Sequence, residues 1–180
     1  MINSSEGIPT LTLEQATKFV NNWNELGRKK GLLIIGPPGH GKTTLIKTLE
    51  WGTNFKNGTK VNGFYHMNTI VERFEDTGKI NFLKESLQRG IANEYRCFDD
   101  LGVERIANYY SSKINVMDYI VDNFKGCSYT TNLNLKRLTD KYGERTVGRL
   151  KEHCYIIMLK DKDFRTLNTN EEIQNILNHE

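Results

Sequence analysis

The 180-residue sequence has few of the features that mark secreted, metal-stapled or membrane-spanning proteins. Its three cysteines, Cys97, Cys127 and Cys154, are widely spaced and form no Cys-x-x-Cys pair, which argues against a disulfide framework and a zinc site. The longest apolar runs are only about five residues, too short to cross a membrane, and no secretory signal precedes Thr10. We therefore expect a cytoplasmic protein with reduced thiols in its core and no membrane contact.

The sequence also lacks a strong excess of either charge. Its 25 basic and 22 acidic residues give a net charge of +3, which is too small to indicate a nucleic-acid-binding protein by composition alone. A chain of this length buries roughly 70% of its unfolded surface. A single domain with a sizeable core is therefore expected.

A glycine-rich stretch directly follows the apolar residues 32–35. It fits the phosphate-binding pattern of a glycine, four free positions and Gly-Lys-Thr, and its residues are Gly36, Pro37, Pro38, Gly39, His40, Gly41, Lys42 and Thr43. The glycines allow consecutive backbone N–H groups to surround a phosphate. Lys42 reaches the β- and γ-phosphates, Thr43 offers a hydroxyl to Mg²⁺, and a helix continuing from Thr44 directs its positive end at the phosphates. The stretch predicts an ATP and Mg²⁺ site.

Three polar residues lie at the ends of two extended runs that come later in the sequence. Asp99 and Asp100 end the run 95–102, and Asn132 ends the run 127–131. Asp99 is the candidate metal-side (Walker B) carboxylate, and Asp100 lies where many P-loop ATPases keep the carboxylate that orients the attacking water. Asn132 is predicted to bond the γ-phosphate or the water, and an Asx turn capping the helix from Leu133 is a compatible second interpretation.

Strands alternate with helices, which predicts βαβ units and an α/β fold of the P-loop NTPase type. We expect a mostly parallel five-stranded sheet sandwiched between helices, with strands at residues 32–35, 63–67, 95–102, 127–131 and 155–159. Ligands in such sheets bind at the C-terminal ends of the strands, where Gly36, Asp99 and Asn132 would meet. The predicted organisation is a segment with one amphipathic helix at 1–30, the ATPase core at 31–166 and a short C-terminal helix at 167–180.

Several local signals refine this picture. Thr12 and Gln15 have the spacing of a capping box, Thr69 is a candidate cap for a helix ending at Phe74, and a short helix is predicted at 80–87. Ser111 or Ser112 is a candidate cap for the helix ending before Gly126. Helices at 133–142 and 144–153 are predicted to meet at a hinge at Gly143.

Three arginines are candidates for contacts with the γ-phosphate. Arg149 is the candidate arginine finger, acting on the ATP of a neighbouring subunit, and Arg145 is the competing candidate. Arg165 is a candidate for contact within its own subunit. For Arg145 and Arg149 a plain surface position is the alternative.

Two other residue types receive no role in catalysis. His40 and His66 have no nearby partner for a metal site, and we assign them no metal or catalytic function. Tyr109 and Tyr110 have the chemistry to stack on nucleobases, but packing against the core is the favoured interpretation.

These motifs together resemble a known family. The phosphate-binding loop, Phe98-Asp99-Asp100-Leu101-Gly102, Thr130-Thr131-Asn132-Leu133 and the run 142–150 are similar to the DnaC/IstB group of AAA+ ATPases, over residues 30 to 165. Members of that group load the replicative DNA helicase or assist transposases. The resemblance implies that Asn132 is sensor 1, Arg149 the arginine finger and Arg165 a sensor-like arginine.

The resemblance implies an ATP-hydrolysing helicase loader in DNA replication, with a replicative helicase or transposase and single-stranded DNA as partners. It also implies self-association through the nucleotide sites. An IstB-like transposition helper, a nucleotide-gated binding module with little turnover and, less favoured, a small-molecule kinase are the alternatives. Helicase loaders carry a separate N-terminal region that grips the helicase, whereas about thirty residues precede the first predicted strand here.

Overall fold

The computed structural model describes residues 7–27, 29–51, 61–84, 95–160 and 163–164, which form an α/β fold. The strands are β1 (Thr10–Leu11), β2 (Gly31–Ile35), β3 (Val61–His66), β4 (Tyr95–Leu101), β5 (Ala107–Tyr109), β6 (Ser112–Ile114), β7 (Ser128–Thr131) and β8 (Cys154–Leu159). The helices are α1 (Leu13–Glu25), α2 (Lys42–Trp51), α3 (Met67–Thr77), α4 (Val116–Asn123) and α5 (Leu135–His153).

Six strands form the main sheet in the order β1-β8-β2-β7-β4-β3, and each pair of neighbours is parallel. The α/β class and the parallel sheet are confirmed, but the expected count of five strands is one too low. The additional strand is β1, which pairs with the edge of β8 through Thr10 and Met158. Two residues are too few to show the alternation by which a strand is recognised in a sequence. β5 and β6 form a separate antiparallel hairpin.

The apolar strand β2 separates two parts of the core. Leu33 and Ile35 belong to a cluster that includes residues of α3, α4 and α5, whereas Leu32 and Ile34 belong to a cluster that includes residues of α1 and α2. All five residues of β2 are buried, as expected for a strand with helices on both faces. Gly31 is required at its start, since a Cβ there would lie 1.7 Å from the carbonyl oxygen of Cys127.

The capping box at the start of α1 is confirmed. The Gln15 N–H donates to the hydroxyl of Thr12 at 3.2 Å, and the Thr12 N–H donates to the side-chain carbonyl of Gln15 at 3.0 Å. Ala16, Val20 and Trp23 are buried against the sheet.

Two predicted helix starts are wrong. α3 begins at Met67, with His66 rather than Thr69 in the capping position. α4 is capped by Asn115, whose side chain accepts from Met117 and Asp118, because Ser112 lies in the hairpin strand β6. The hinge at Gly143 is confirmed by its non-helical backbone, with φ of 82°.

Some predictions fall outside the described residues. These are Arg165, the C-terminal helix at 167–180 and the second half of the helix predicted at 80–87. Of the helices the structure describes, none combines the length and the hydrophobicity that a bilayer crossing requires.

Candidate nucleotide-binding site

The glycine-rich loop joins the end of β2 to the start of α2 at the C-terminal edge of the sheet. Gly39 and Gly41 have φ values of 80° and 81°, in the left-handed region that side chains disfavour. The Gly36 N–H donates to Thr131 O at 3.2 Å and anchors the loop to β7. This backbone has the form that allows consecutive N–H groups to face an anion.

The loop is also tightly enclosed. A Cβ at Gly39 would lie 2.0 Å from a carboxylate oxygen of Asp163, and one at Gly41 would lie 3.1 Å from the side chain of Leu13. The Phe164 N–H donates to Gly39 O at 3.1 Å. A larger residue at Gly39 would require the side chain of Asp163 to move, and one at Gly41 would require a small shift of the Leu13 side chain, in addition to the strain of the positive φ.

The ammonium of Lys42 connects the loop to the end of β7. Lys42 is buried, and its Nζ donates to Pro37 O and to Asn132 Oδ1, each at 2.7 Å. Both partners are neutral oxygens. These two bonds hold the cation between the loop and the end of β7, and an ammonium group at this place can form charge-assisted hydrogen bonds with an anionic ligand.

Asp99 receives hydroxyl groups from two directions. Its buried carboxylate accepts from Thr43 Oγ1 at 3.1 and 3.2 Å and from Thr130 Oγ1. The predicted metal-binding pair, Thr43 and Asp99, therefore lies in direct contact. A hydroxyl beside a carboxylate is an all-oxygen donor set of the kind that Mg²⁺ prefers.

Asp100 has an unusual backbone conformation, with φ of 57°. The pairing of β4 with β7 shifts register between Phe98 and Leu101, and the Asp100 N–H donates to Thr130 Oγ1 at 3.0 Å instead of continuing the ladder. A left-handed conformation at a residue other than glycine costs about 1 kcal/mol or more. Successive side chains of a regular strand point to opposite faces, yet here Asp99 contacts Thr43 and Asp100 lines the pocket together with Thr43.

The carboxylate of Asp100 lies between two side chains. His66 Nε2 is 3.2 Å from Asp100 Oδ2, and Asn132 Nδ2 donates to Asp100 Oδ1 at 3.4 Å. Asn132 therefore bridges Lys42 and Asp100, and its role at the γ-phosphate stays a prediction. It does not cap the following helix, because Asn134 does so by accepting from the Arg137 N–H at 2.9 Å.

His66 also contacts this group of residues, although the sequence pattern indicates no role for it. It ends β3, the edge strand beside β4, and pairs with Asp99 in the sheet register. The strand order is the information that reveals this contact. Without it, a lone histidine separated from Asp100 by 34 residues carries no signal.

The segment after Asp100 is fixed by a second carboxylate that the sequence did not reveal. Glu104 is buried and accepts from the Gly102 N–H at 2.9 Å and from the hydroxyl of Tyr142. Burial, together with the charge of Glu104, raises the pKa of the Tyr142 phenol well above its usual range. The phenol therefore stays a donor, and it ties the end of β4 to α5.

Most of these groups surround one pocket of about 480 Å³. Residues lining it include members of all three sequence motifs and the two apolar residues near the loop, namely Leu13, Pro38, Gly39, Gly41, Lys42, Thr43, Thr44, Asp100, Asn132 and Phe164. His40 instead turns to its own loop, where Nδ1 lies 2.9 Å from Pro38 O. The predicted residues from three strand ends are thus brought together.

The arginine candidates lie elsewhere. Arg149 forms an ion pair with Asp122 of α4, and Arg145 approaches the same carboxylate at 3.8 Å. Neither lines the pocket within the part of the chain that is described. The structure thus does not bring them to the phosphate-binding loop of their own subunit.

Comparisons with known proteins place the fold. No protein-family model matches the sequence, and no curated protein matches it. The crystal structure of the DnaC helicase loader is similar with a TM-score of 0.62 and 24% identity, over 87% of this chain and 95% of that chain. DnaI is similar with a TM-score of 0.55 and 17% identity, over 81% of this chain and 83% of that one.

A third solved structure is AMPPCP-bound DnaA from Aquifex aeolicus. Its TM-score is 0.55 and its identity 16%, over 91% of this chain but 52% of the DnaA chain, so this chain spans about half of that structure. The chain therefore has a DnaC-like AAA+ P-loop fold.

Proposed function

We propose that the chain binds ATP with Mg²⁺ and hydrolyses it. The observation that carries the proposal is the connection from Lys42 through Asn132 to Asp100 at the mouth of the pocket, with N···O distances of 2.7 and 3.4 Å. This connection joins the cation that would bind the phosphates to the carboxylate that would accept a proton from the attacking water. Such groups must act together in phosphoryl transfer, where catalysis consists mainly of positioning and charge stabilisation.

Nucleotide binding falls to the loop and its lysine. The N–H groups of Gly39 to Lys42 would face the phosphates, and the ammonium of Lys42 would donate to phosphate oxygens. Leu13 and Phe164 also line the pocket and would offer apolar surface to the rest of the nucleotide.

Mg²⁺ would be held by Thr43 and Asp99. Within the described ranges, no group of three or more His, Cys, Asp or Glu side chains comes together as a protein-only metal centre, so the metal would depend on phosphate oxygens for its other ligands. When bound, it neutralises charge that develops on the phosphates.

Asp100 and Asn132 are proposed to activate and position the attacking water. The carboxylate of Asp100 accepts the proton of the attacking water, and Asn132 fixes the carboxylate with its amide N–H. His66 lies on the other side of Asp100 and limits its rotation. An aspartate is one methylene shorter than the glutamate that is commoner at this position. Asp100 nevertheless lines the pocket, and its left-handed backbone is the local feature that distinguishes it from a regular strand residue.

Arg149 is proposed as the arginine finger, acting on the ATP of a neighbouring subunit, with Arg145 as the competitor. Their position away from their own pocket and beside Asp122 supports action between subunits. Arg165 follows Phe164 directly in the sequence, and Phe164 lines the pocket, which supports the proposal that Arg165 serves its own subunit. Self-association through the nucleotide sites follows.

For the biological role we propose helicase loading in DNA replication, with a replicative helicase and single-stranded DNA as partners. The likeness to the DnaC helicase loader over most of both chains supports it. An IstB-like transposition helper, with a transposase as partner, remains the second candidate of the same fold. Within this proposal, residues 1–30 form the N-terminal segment, 31–166 the ATPase core and 167–180 the C-terminal helix.

A steady-state assay of phosphate release tests the proposal. Release should require Mg²⁺, stop in excess EDTA and change on addition of single-stranded DNA. The matched control is Lys42→Ala, which should release no phosphate above buffer. Equal release by the two proteins would show a contaminating enzyme and would refute hydrolysis by this chain.

A nucleotide-gated binding module is the second candidate function. It is favoured by one observation: the carboxylate of Asp100 is already engaged by His66 and Asn132, which leaves it less able to accept a proton from water. Tight binding of Mg·ATP by calorimetry without phosphate release, in the presence and absence of DNA, would select this function.

A further inference from the structure

The hairpin β5–β6 presents an aromatic side chain to solvent at its tip. Tyr110 is 91% exposed and lies in the two-residue connection between the paired residues Tyr109 and Ser112. Tyrosine usually keeps its ring at least partly covered, because the ring carries a large apolar area. An almost fully exposed ring at a hairpin tip is therefore a candidate contact for a ligand or partner.

The backbone of Tyr110 strengthens this argument. Its φ is 51°, a value that the first position of a tight hairpin turn requires and that glycine or asparagine adopts at lower cost. Tyrosine at this position makes the turn less favourable than glycine would. Strained residues of this kind are concentrated at binding and catalytic sites.

The ring is supported from below by a fixed neighbour. Tyr109 packs edge-to-face against Tyr110 with ring centroids 4.7 Å apart, and edge-to-face against Phe74 of α3 at 6.3 Å. The Tyr109 ring also covers Gly78, where a Cβ would lie 2.4 Å from a ring carbon. Tyr110 thus stands on a rigid aromatic base.

The exposed charges of the hairpin are basic. From Arg105 to Ile114 the sequence contains Arg105 and Lys113 and no acidic residue, and both side chains are exposed. Lys113 pairs with Asn108 across the hairpin, so these two share its outer face. Arg105 forms an ion pair with Glu75 of α3, whereas Lys79, next to the covered Gly78, adds a further exposed cation.

We propose that the hairpin tip is a base-stacking site for single-stranded nucleic acid, with Tyr110 as the stacking ring and Lys113 as the phosphate contact. An exposed ring beside cations is the arrangement by which proteins bind single strands without sequence preference. A protein partner would be expected to use a broader apolar face. Between Ala107 and Lys113 the exposed residues are Asn108, Ser111, Ser112 and Lys113 beside the ring of Tyr110, and the exposed Ile106 lies at the base of the hairpin rather than at its tip.

The hairpin is connected to the nucleotide pocket by a short, fixed segment. The Val103 N–H donates to Asp100 O at 3.2 Å, and Glu104 is held by Gly102 and Tyr142. A strand bound at Tyr110 would therefore act on the segment that positions Asp100. This inference extends the proposed function and rests on it only for this coupling, since binding is measured without nucleotide.

The test is fluorescence anisotropy of a fluorescein-labelled oligothymidylate titrated with the full chain, without nucleotide. Tyr110→Phe should bind as the native chain does, whereas Tyr110→Leu and Tyr110→Gly should bind roughly fivefold to a hundredfold more weakly. Tyr110→Gly should also melt at the same or a higher temperature, because glycine relieves the positive φ. Loss of affinity in a protein that is no less stable separates a binding role from a structural one.

Two further variants complete the experiment. Lys113→Gln should reduce the slope of log affinity against log salt by about 0.7, and Tyr155→Ala, an exposed tyrosine on β8, should bind as the native chain does. No binding by the native chain, full affinity in Tyr110→Leu, or equal loss in Tyr155→Ala would overturn the proposal. A change in sedimentation of Tyr110→Gly with unchanged DNA affinity would overturn it in favour of self-association.

These outcomes are distinct from failure of the ATPase proposal. A chain that binds the oligonucleotide through Tyr110 but releases no phosphate would refute hydrolysis and leave the stacking site standing.

Discussion

The ammonium of Lys42 and the side-chain carbonyl of Asn132 lie 2.7 Å apart, although 90 residues separate them in the sequence. One belongs to the phosphate-binding loop and the other to the end of a neighbouring strand. The contact joins the loop directly to the residue predicted as sensor 1.

Lys42→Ala should weaken Mg·ATP binding by about tenfold to a hundredfold, since charge-assisted hydrogen bonds to phosphate are lost. Isothermal titration calorimetry measures this, and circular dichroism checks that the variant folds. Lys47→Ala, an exposed lysine of the same helix, is the matched control and should bind normally. Unchanged affinity in a folded Lys42→Ala protein would contradict the assignment of the loop.

Asp100→Asn should keep Mg·ATP affinity and lower turnover by about 10²-fold, because the amide cannot accept the proton of water. Asp99→Asn should instead impair the Mg²⁺ dependence of binding. Phosphate release and calorimetry on both variants decide between the two carboxylates. If Asp100→Asn abolishes binding while Asp99→Asn binds and fails to turn over, the two roles are exchanged.

His66→Ala should lower turnover about tenfold or more with little change in nucleotide affinity, because Asp100 loses the contact that limits its orientation. His66→Gln, which retains a hydrogen-bonding side chain, should recover part of the rate. His153→Ala, at the end of α5, is the control. Equal rates in His66→Ala and the native chain would show that this contact is incidental.

If Arg149 acts between subunits, hydrolysis per subunit should rise with protein concentration. Mixing Arg149→Ala with Lys42→Ala should then restore activity, because one protein keeps an intact pocket and the other keeps its finger. An arginine finger contributes roughly 10³ to 10⁵ in rate in the best-measured GTPases, so a weaker one is still measurable. Normal hydrolysis by Arg149→Ala alone, with Arg145→Ala inactive but restored by mixing, would assign the role to Arg145.

Cys127 and Cys154 should react slowly with a thiol reagent in the native protein and rapidly after denaturation. Burial penalises the thiolate and raises the pKa of Cys127 from 9.0 to about 12, and it raises that of Cys154 well above its usual range. Because these folded-state pKa values exceed the unfolded ones, stability should fall as pH rises above about 9. Counting thiols with and without denaturant, and melting curves from pH 7 to 10, measure both effects.

Much of the fold could be predicted because its signals are local. The glycine pattern after an apolar run, the capping box at Thr12 and the break at Gly143 each depend on a few neighbouring residues. The main strands were predictable for the same reason, since a buried parallel strand is a continuous apolar run. β1 could not be predicted, because a strand of two residues is too short to show the alternation of apolar and polar side chains.

The arrangement within the site depends on which strands are neighbours. That Asp99, Asp100 and Asn132 share an edge followed from the parallel sheet, but the contact of His66 with Asp100 required the position of β3 beside β4. Glu104 was missed for the same reason, because its partner Tyr142 is 38 residues away. The hairpin replaced a predicted helix start, since Ser111 and Ser112 suit a turn as well as a cap.

The hydroxyl of Thr130 accepts from the Asp100 N–H and donates to the carboxylate of Asp99. A hydroxyl has one hydrogen, so donating to Asp99 leaves its lone pairs for Asp100. The carboxylate of Asp99 and the backbone of Asp100 are therefore both bonded to one buried atom, which belongs to the central sheet and not to the surface loops around the pocket. Motions of those loops would change what reaches the site without moving the carboxylate of Asp99 or the backbone of Asp100.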